Sequence, residues 1–189
     1  MNFFTQIILF AFAQNAIFTR ALGTSTMMQI SRNRKNLSGF FLCVVYITLV
    51  TGFICYFIDK LWSGSELAFI YTPLIYIVIL GLIYIITLLC LWRLMYRVFG
   101  KMRKYVHISA FNGAVLGALF LNSKTCVTLP EYVAHSVGTG IGFVAAVYMA
   151  SIVYDKLHSE DAPYLFRGYP LMLIYMGILG MAFFGLTKY

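Results

Sequence analysis

The chain has 189 residues, 61% of them hydrophobic and only 11% charged, whereas a water-soluble domain carries about 45–50% apolar and about 25% charged residues. That length holds either one soluble domain or about six membrane spans of ~20 residues with short loops, and the composition excludes the first use. The 14 Lys+Arg against 6 Asp+Glu give a formal net charge of +8, which in so apolar a chain points to cytoplasmic loops and anionic headgroups, not to nucleic acid.

The first apolar run, Phe3 to about Thr19, has no basic segment before it. It therefore reads as a retained span and not as a cleaved signal peptide. It carries Gln6, Gln14 and Asn15, followed by Gly23. The second run extends from about Gly39 to Ile58, and the third, the longest, from about Leu67 to Trp92. The fourth, about Tyr105 to Leu121, is short and holds His107, Ser109, Asn112, Gly113 and Gly117. The fifth covers about Val133 to Tyr154 and the sixth about Pro170 to Thr187. By these boundaries no Asp or Glu lies inside a span, so a carboxylate relay has no seat there.

A buried amide in lipid must find a partner, because an unsatisfied polar group there is costly. Runs one and four, with their amides and glycines, therefore predict interrupted helices. Asn15 and Asn112 are the candidate caps of those breaks, or ligands on an ion path, with Gly23 and Gly117 beside them. Each half of the chain thus opens with a broken span followed by two ordinary ones. The expected fold is all-α: six transmembrane helices in a single membrane domain, 1–189, made of two inverted three-helix repeats, about 1–100 and about 101–189.

Charge supports an even number of crossings. Eleven of the 14 basic residues fall in the connections after runs one, three and five: Arg20, Arg32, Arg34 and Lys35, then Arg93, Arg97, Lys101, Arg103 and Lys104, then Lys156 and Arg167. Only Lys60, Lys124 and Lys188 fall on the other side. Positive loops stay in the cytoplasm, so both termini are expected outside.

Ala134, Gly138, Gly142, Ala146 and Ala150 line one face of the fifth run, for packing within the chain or against another subunit. His107 and His135 stand at opposite membrane edges without a second ligand at metal spacing. Cys43, Cys55, Cys90 and Cys126 form neither a CxxC pair nor a zinc pattern, and read as small packing residues. No Walker loop, dinucleotide fingerprint, nucleophile elbow or metalloprotease helix is present. The chain holds no self-contained active site in its motifs.

Several stretches resemble one family over nearly the whole length. Asp161-Ala162-Pro163-Tyr164-Leu165-Phe166-Arg167-Gly168, followed by the glycine-rich run Gly177 to Gly185, is similar to the C-terminal signature of the Rnf A / Nqr E subunits. Asn112-Gly113-Ala114-Val115-Leu116-Gly117 with Leu121-Asn122 resembles their fourth helix, and Gln14-Asn15 through Leu22-Gly23 their first. The resemblance implies a subunit of a bacterial cytoplasmic-membrane complex that couples electron transfer to Na⁺ or H⁺ movement. It implies flavin on partner subunits and a pairing with an oppositely oriented Rnf E / Nqr D-like paralogue. It also implies an iron–sulfur centre between the two paralogues. At the family's two cysteine positions this chain has Ser25 and Gly113, so the expectation is that those cluster ligands are lost and that this chain alone binds no cofactor or metal. Asn15 and Asn112 would then face each other across the repeat interface, with Ser25 and Gly113 lining the former cluster site. The rival function from a different class is a membrane-embedded binding component of a vitamin-type transporter, whose termini would be cytoplasmic.

Overall fold

The structure is a computed structural model that describes residues 2–13, 15–31, 37–62, 68–126, 128–157 and 163–187. Gln14, Arg32, Arg34, Lys35, Asp161, Ala162 and Lys188 lie outside the described residues. The described residues form helices α1 (Phe3–Ile8), α2 (Ala16–Arg20), α3 (Thr24–Ser31), α4 (Leu37–Trp62), α5 (Ala68–Leu94), α6 (Tyr96–Ala110), α7 (Gly113–Thr125), α8 (Leu129–Leu157) and α9 (Tyr169–Thr187). A π-helical turn, Leu9–Ala13, continues α1.

Helices α4, α5 and α8 are each long and apolar enough to cross a membrane. At 26, 27 and 29 residues, each is about 39–44 Å long at 1.5 Å per residue, against a hydrocarbon core of about 30 Å. Two further segments pass the same test only as bent pairs. Phe3–Arg20 turns by 101° into α3, and α6 turns by 49° into α7, so among the described residues the candidate spans number three, or as many as five. The last helix, α9, is apolar but shorter.

The helices overrun the apolar runs at their ends, because backbone hydrogen bonds continue wherever the side chains can reach the headgroups. Two expectations change as a result. The basic stretch before Tyr105 is not a loop: it is the first half of α6, whose buried Val106, Ser109 and Ala110 and half-buried Met102 and Tyr105 share one face while Arg97, Lys101, Arg103 and Lys104 are exposed. And Asp59 lies inside a span, since α4 passes Ile58 by a full turn.

Helix α8 is the hub of the fold. Its buried residues occur on most of its circumference, and it touches α1, the π turn, α2, α3, α4, α7 and α9. Small residues make this possible. A methyl group on Gly138 would lie 2.7 Å from Phe10 Cβ, and one on Gly140 would lie 2.6 Å from Val45 Cγ2. The stripe of small residues thus packs within the chain, its glycines receiving the broken N-terminal segment by van der Waals contact at backbone range. Helix α5 is the opposite case. Tyr76, Ile79, Leu80, Ile83 and Thr87 form its buried stripe, at helical spacing. Ile70, Leu74, Ile77, Val78, Leu82, Ile85, Ile86 and Leu89 are exposed, as suits a face turned to lipid.

The Pro163–Gly168 segment joins α8 to α9. Its amides fold back, Phe166 N–H and Arg167 N–H onto the Pro163 carbonyl and Gly168 N–H onto the Leu157 carbonyl. Gly168 has φ +81°, a left-handed backbone that only glycine adopts without strain. Phe18 of α2 then stacks on Phe183 of α9, with ring centroids 4.6 Å apart.

Candidate functional site

The two helix breaks carry the sequence-predicted residues. At the first, Asn15 has an extended backbone and its side-chain oxygen accepts from Ile17 N–H at 2.9 Å. This is an N-cap, placed in the interior of the fold. Its amide nitrogen donates to two carbonyls, Ala11 and Gly142, each at 2.9 Å. The π turn frees the Ala11 carbonyl from the helix ladder, and Asn15 takes it up. Helix α2 then ends with Ala21 in the left-handed region, φ 54°, and Leu22 N–H reaching the Ala16 carbonyl at 3.1 Å. This six-residue closure lets the chain turn sharply.

At the second break, Asn112 is an N-cap of the same kind. It is extended, and its side-chain oxygen accepts from Ala114 N–H at 3.0 Å. Here the amide nitrogen is buried and has no partner among the described residues. The two breaks do not meet through their asparagines. Asn15 meets Gly142 of α8, while Asn112 meets Gly23: a methyl group on Gly23 would lie 2.6 Å from Asn112 Oδ1. Gly23 has φ +79°, so the left-handed turn and the close approach both require glycine there. Each asparagine therefore touches a glycine of the other half of the chain, which the expectation of a face-to-face pair did not foresee.

Gly113 borders the same contact, its ideal methyl position 3.4 Å from Gly23 N. Gly117 sits under Leu22, whose Cδ1 would overlap an added methyl. Ser25 and Gly113 are both exposed. One hydroxyl and no thiolate are available at these two positions, a donor set that does not fit a cysteine-ligated iron–sulfur cluster. Cys43 and Cys90 line a separate apolar cavity of about 420 Å³ between α4, α5 and α6. Among the described residues, no three His, Cys, Asp or Glu side chains are grouped to hold a metal.

A second polar centre escaped the sequence. Asp59 accepts from the Tyr76 hydroxyl, 2.5 Å from each carboxylate oxygen, and its Oδ2 also accepts from the Tyr132 hydroxyl. Both tyrosines are buried, at 0% and 2% exposure. His135, also on α8, is buried, its Nδ1 3.3 Å from Thr139 Oγ1 and its ring 4.4 Å from that of Phe10. His107 is exposed and meets the Tyr84 hydroxyl at 3.0 Å. The only signal for the Asp59 centre was the acid itself, one residue past the apolar run.

Long apolar helices, two asparagine-capped breaks and a glycine-bearing hub helix define a multi-pass membrane protein with its polar groups gathered inside. Comparison with known proteins gives the family. The Rnf-Nqr subunit family of membrane proteins matches residues 3–189, and the chain belongs to it. It is 24% identical to the A-type subunit of the ion-translocating oxidoreductase complex of Pasteurella multocida, over 96% of this chain and 94% of the relative. It is 24% identical to the E-type subunit of the Na(+)-translocating NADH-quinone reductase of Chlamydia pneumoniae, over 99% and 78%. It is 20% identical to the A-type subunit of the Na(+)-translocating ferredoxin:NAD(+) oxidoreductase complex of Acetobacterium woodii, over 93% and 92%.

Proposed function

We propose that this chain is a membrane subunit of an Rnf/Nqr-like complex, where it serves as structural core and ion path for Na⁺ or H⁺ movement coupled to electron transfer. The observation that carries this reading is the family match over residues 3–189 to relatives named as subunits of ion-translocating oxidoreductase complexes. The two capped breaks support it, since interrupted helices at membrane depth are a feature of ion and substrate pathways.

In this reading the two bent pairs count as one span each and α9 as the sixth, giving two inverted triplets with both termini outside. The exposed basic residues of α6 face the cytoplasm. The partner is an oppositely oriented paralogue, and Ser25 and Gly113 face it without ligating a cluster. Electrons pass by other centres, such as flavins on neighbouring subunits. The complex is a bacterial cytoplasmic-membrane assembly.

The test is deletion of this chain from the complex, followed by assays of coupled Na⁺ or H⁺ uptake and of iron and acid-labile sulfide. Loss of ion uptake with the iron and sulfide content retained is the expected result. Loss of a cluster on deleting this chain alone overturns the ligand-free reading, and undiminished ion uptake overturns the function. Labelling of Lys188 from the exterior checks the orientation.

A further inference from the structure

Asp59 is a carboxylate inside a membrane span, within the apolar segment Leu37–Leu61. It lies two residues before the end of that segment, at the membrane edge, where a carboxylate enclosed by buried hydroxyls is placed to receive an ion entering the fold. It is half-buried, and hydroxyls from two other helices, α5 and α8, close on it. Tyr76 stacks on Phe120 of α7 with ring centroids 5.8 Å apart, and Tyr132 packs edge-on against Tyr56 at 5.2 Å. The rings are thus held, while the hydroxyl hydrogens remain free to rotate.

Below Asp59 the same face of α4 continues through Cys55, Gly52, Thr51 and Thr48. Gly52 leaves room for polar neighbours: its ideal methyl position is 2.5 Å from Ser136 Oγ and 3.6 Å from Asn122 Nδ2. Asn122 Nδ2 donates to Ser136 Oγ at 3.3 Å, and Thr48 Oγ1 donates to the Ser136 carbonyl at 3.2 Å. Thr51 Oγ1 is buried there, at 0% exposure for the residue, with no partner among the described residues. From Asp59 to Thr48 this seam runs about 16 Å along the helix, about half the hydrocarbon thickness.

We propose that Asp59, Tyr76 and Tyr132 form an exchange station for a monovalent cation at the mouth of this seam. The proposal rests on the ion-translocating function above. With no cation bound, the two hydroxyls donate to the carboxylate and offset its charge. When a cation arrives, the hydroxyl hydrogens turn away and the same two oxygens, with the carboxylate, become hard donors for it. The site changes state by rotating two hydroxyls, without backbone motion. Sodium is held by the three groups together, whereas a proton adds to one carboxylate oxygen of Asp59, and the seam oxygens of Ser136, Thr51, Thr48 and Asn122 receive either.

The experiment uses the whole complex in sealed vesicles, reading electron transfer, ²²Na⁺ uptake and proton uptake in parallel. Asp59→Asn keeps the volume and can still hydrogen-bond both tyrosines, yet removes the charge. Cations moved per electron are expected to fall at least tenfold, with the complex assembled at its wild-type subunit content. Asp59→Glu is expected to restore half or more of the flux. Whichever flux collapses, ²²Na⁺ or proton, identifies the ion. Wild-type cations per electron from Asp59→Asn overturn the station but leave the function standing. A wild-type complex that moves no cation overturns the function and the station with it. If Asp59→Asn does not assemble, Tyr132→Phe decides: a severalfold change in the cation concentration for half-maximal flux supports the station, and an unchanged value overturns it.

Discussion

The breaks at Asn15 and Asn112 use one device with different outcomes. Both asparagines are extended, both are buried, and both cap the following helix from their side-chain oxygen. Asn15 also uses its amide nitrogen twice, on Ala11 and Gly142, whereas Asn112 leaves that donor unpaired. The first break is a fully satisfied joint, locked to the hub helix. At the second, Asn112 itself offers only its cap bond and a steric fit against Gly23, and among the described residues its amide donor is unpaired, a cost of about 1–3 kcal/mol. A cap alone is enough to break a membrane helix; locking it in place takes a second helix that can approach without side chains.

Substitutions at the two joints should separate these roles. The largest effect is expected from Gly142→Ala, whose methyl would overlap the Ala11 carbonyl oxygen and lie 2.7 Å from Asn15 Nδ2. Backbone cannot yield as a side chain does, so a loss of about 3 kcal/mol is expected, seen as a lower thermal midpoint of the purified complex. Asn15→Leu removes the cap and the two amide bonds to the Ala11 and Gly142 carbonyls, for a loss of about 2–3 kcal/mol. Gly23→Ala strains a left-handed backbone and pushes on Asn112, for a loss of about 1–3 kcal/mol in the same assay. Asn112→Ser is the sharpest contrast with Asn15→Ser. Serine caps nearly as well as asparagine, and relief of the unpaired amide is offset by the smaller side chain's lost packing, so a change within about 0.5 kcal/mol is expected at position 112, against about 2 kcal/mol lost at position 15. Equal losses at the two positions would show that the joints are equivalent and that the Asn15 contacts to α8 contribute nothing of their own.

The sequence revealed the breaks because an amide in an apolar run has few physical uses. Asn15 and Asn112 stood out, and so did the small-residue face of α8. What these residues touch was not legible. Gly142 is 127 residues from Asn15, and nothing local in either segment points to the other. Asp59 was missed because the apolar run ends one residue before it, while the helix continues to Trp62. Its partners Tyr76 and Tyr132 lie 17 and 73 residues away, among other aromatics with no distinguishing spacing. Helix α6 was hidden because its charges look like a loop when read by hydropathy, although Met102, Val106, Ser109 and Ala110 keep the helical period.

The bond from Asn15 to Gly142 also has a consequence for biosynthesis. The ribosome delivers Gly142 after a further 127 residues have been made, about 6–25 s later at ~5–20 residues per second. Throughout that interval the nascent N-terminal segment carries an uncommitted amide, with the partner that will fix its bend still to be translated. Its insertion must therefore be stabilised by something other than its final contact, such as water at the insertion site or the insertion machinery. The N-terminus acquires its native shape only when α8 has entered the membrane.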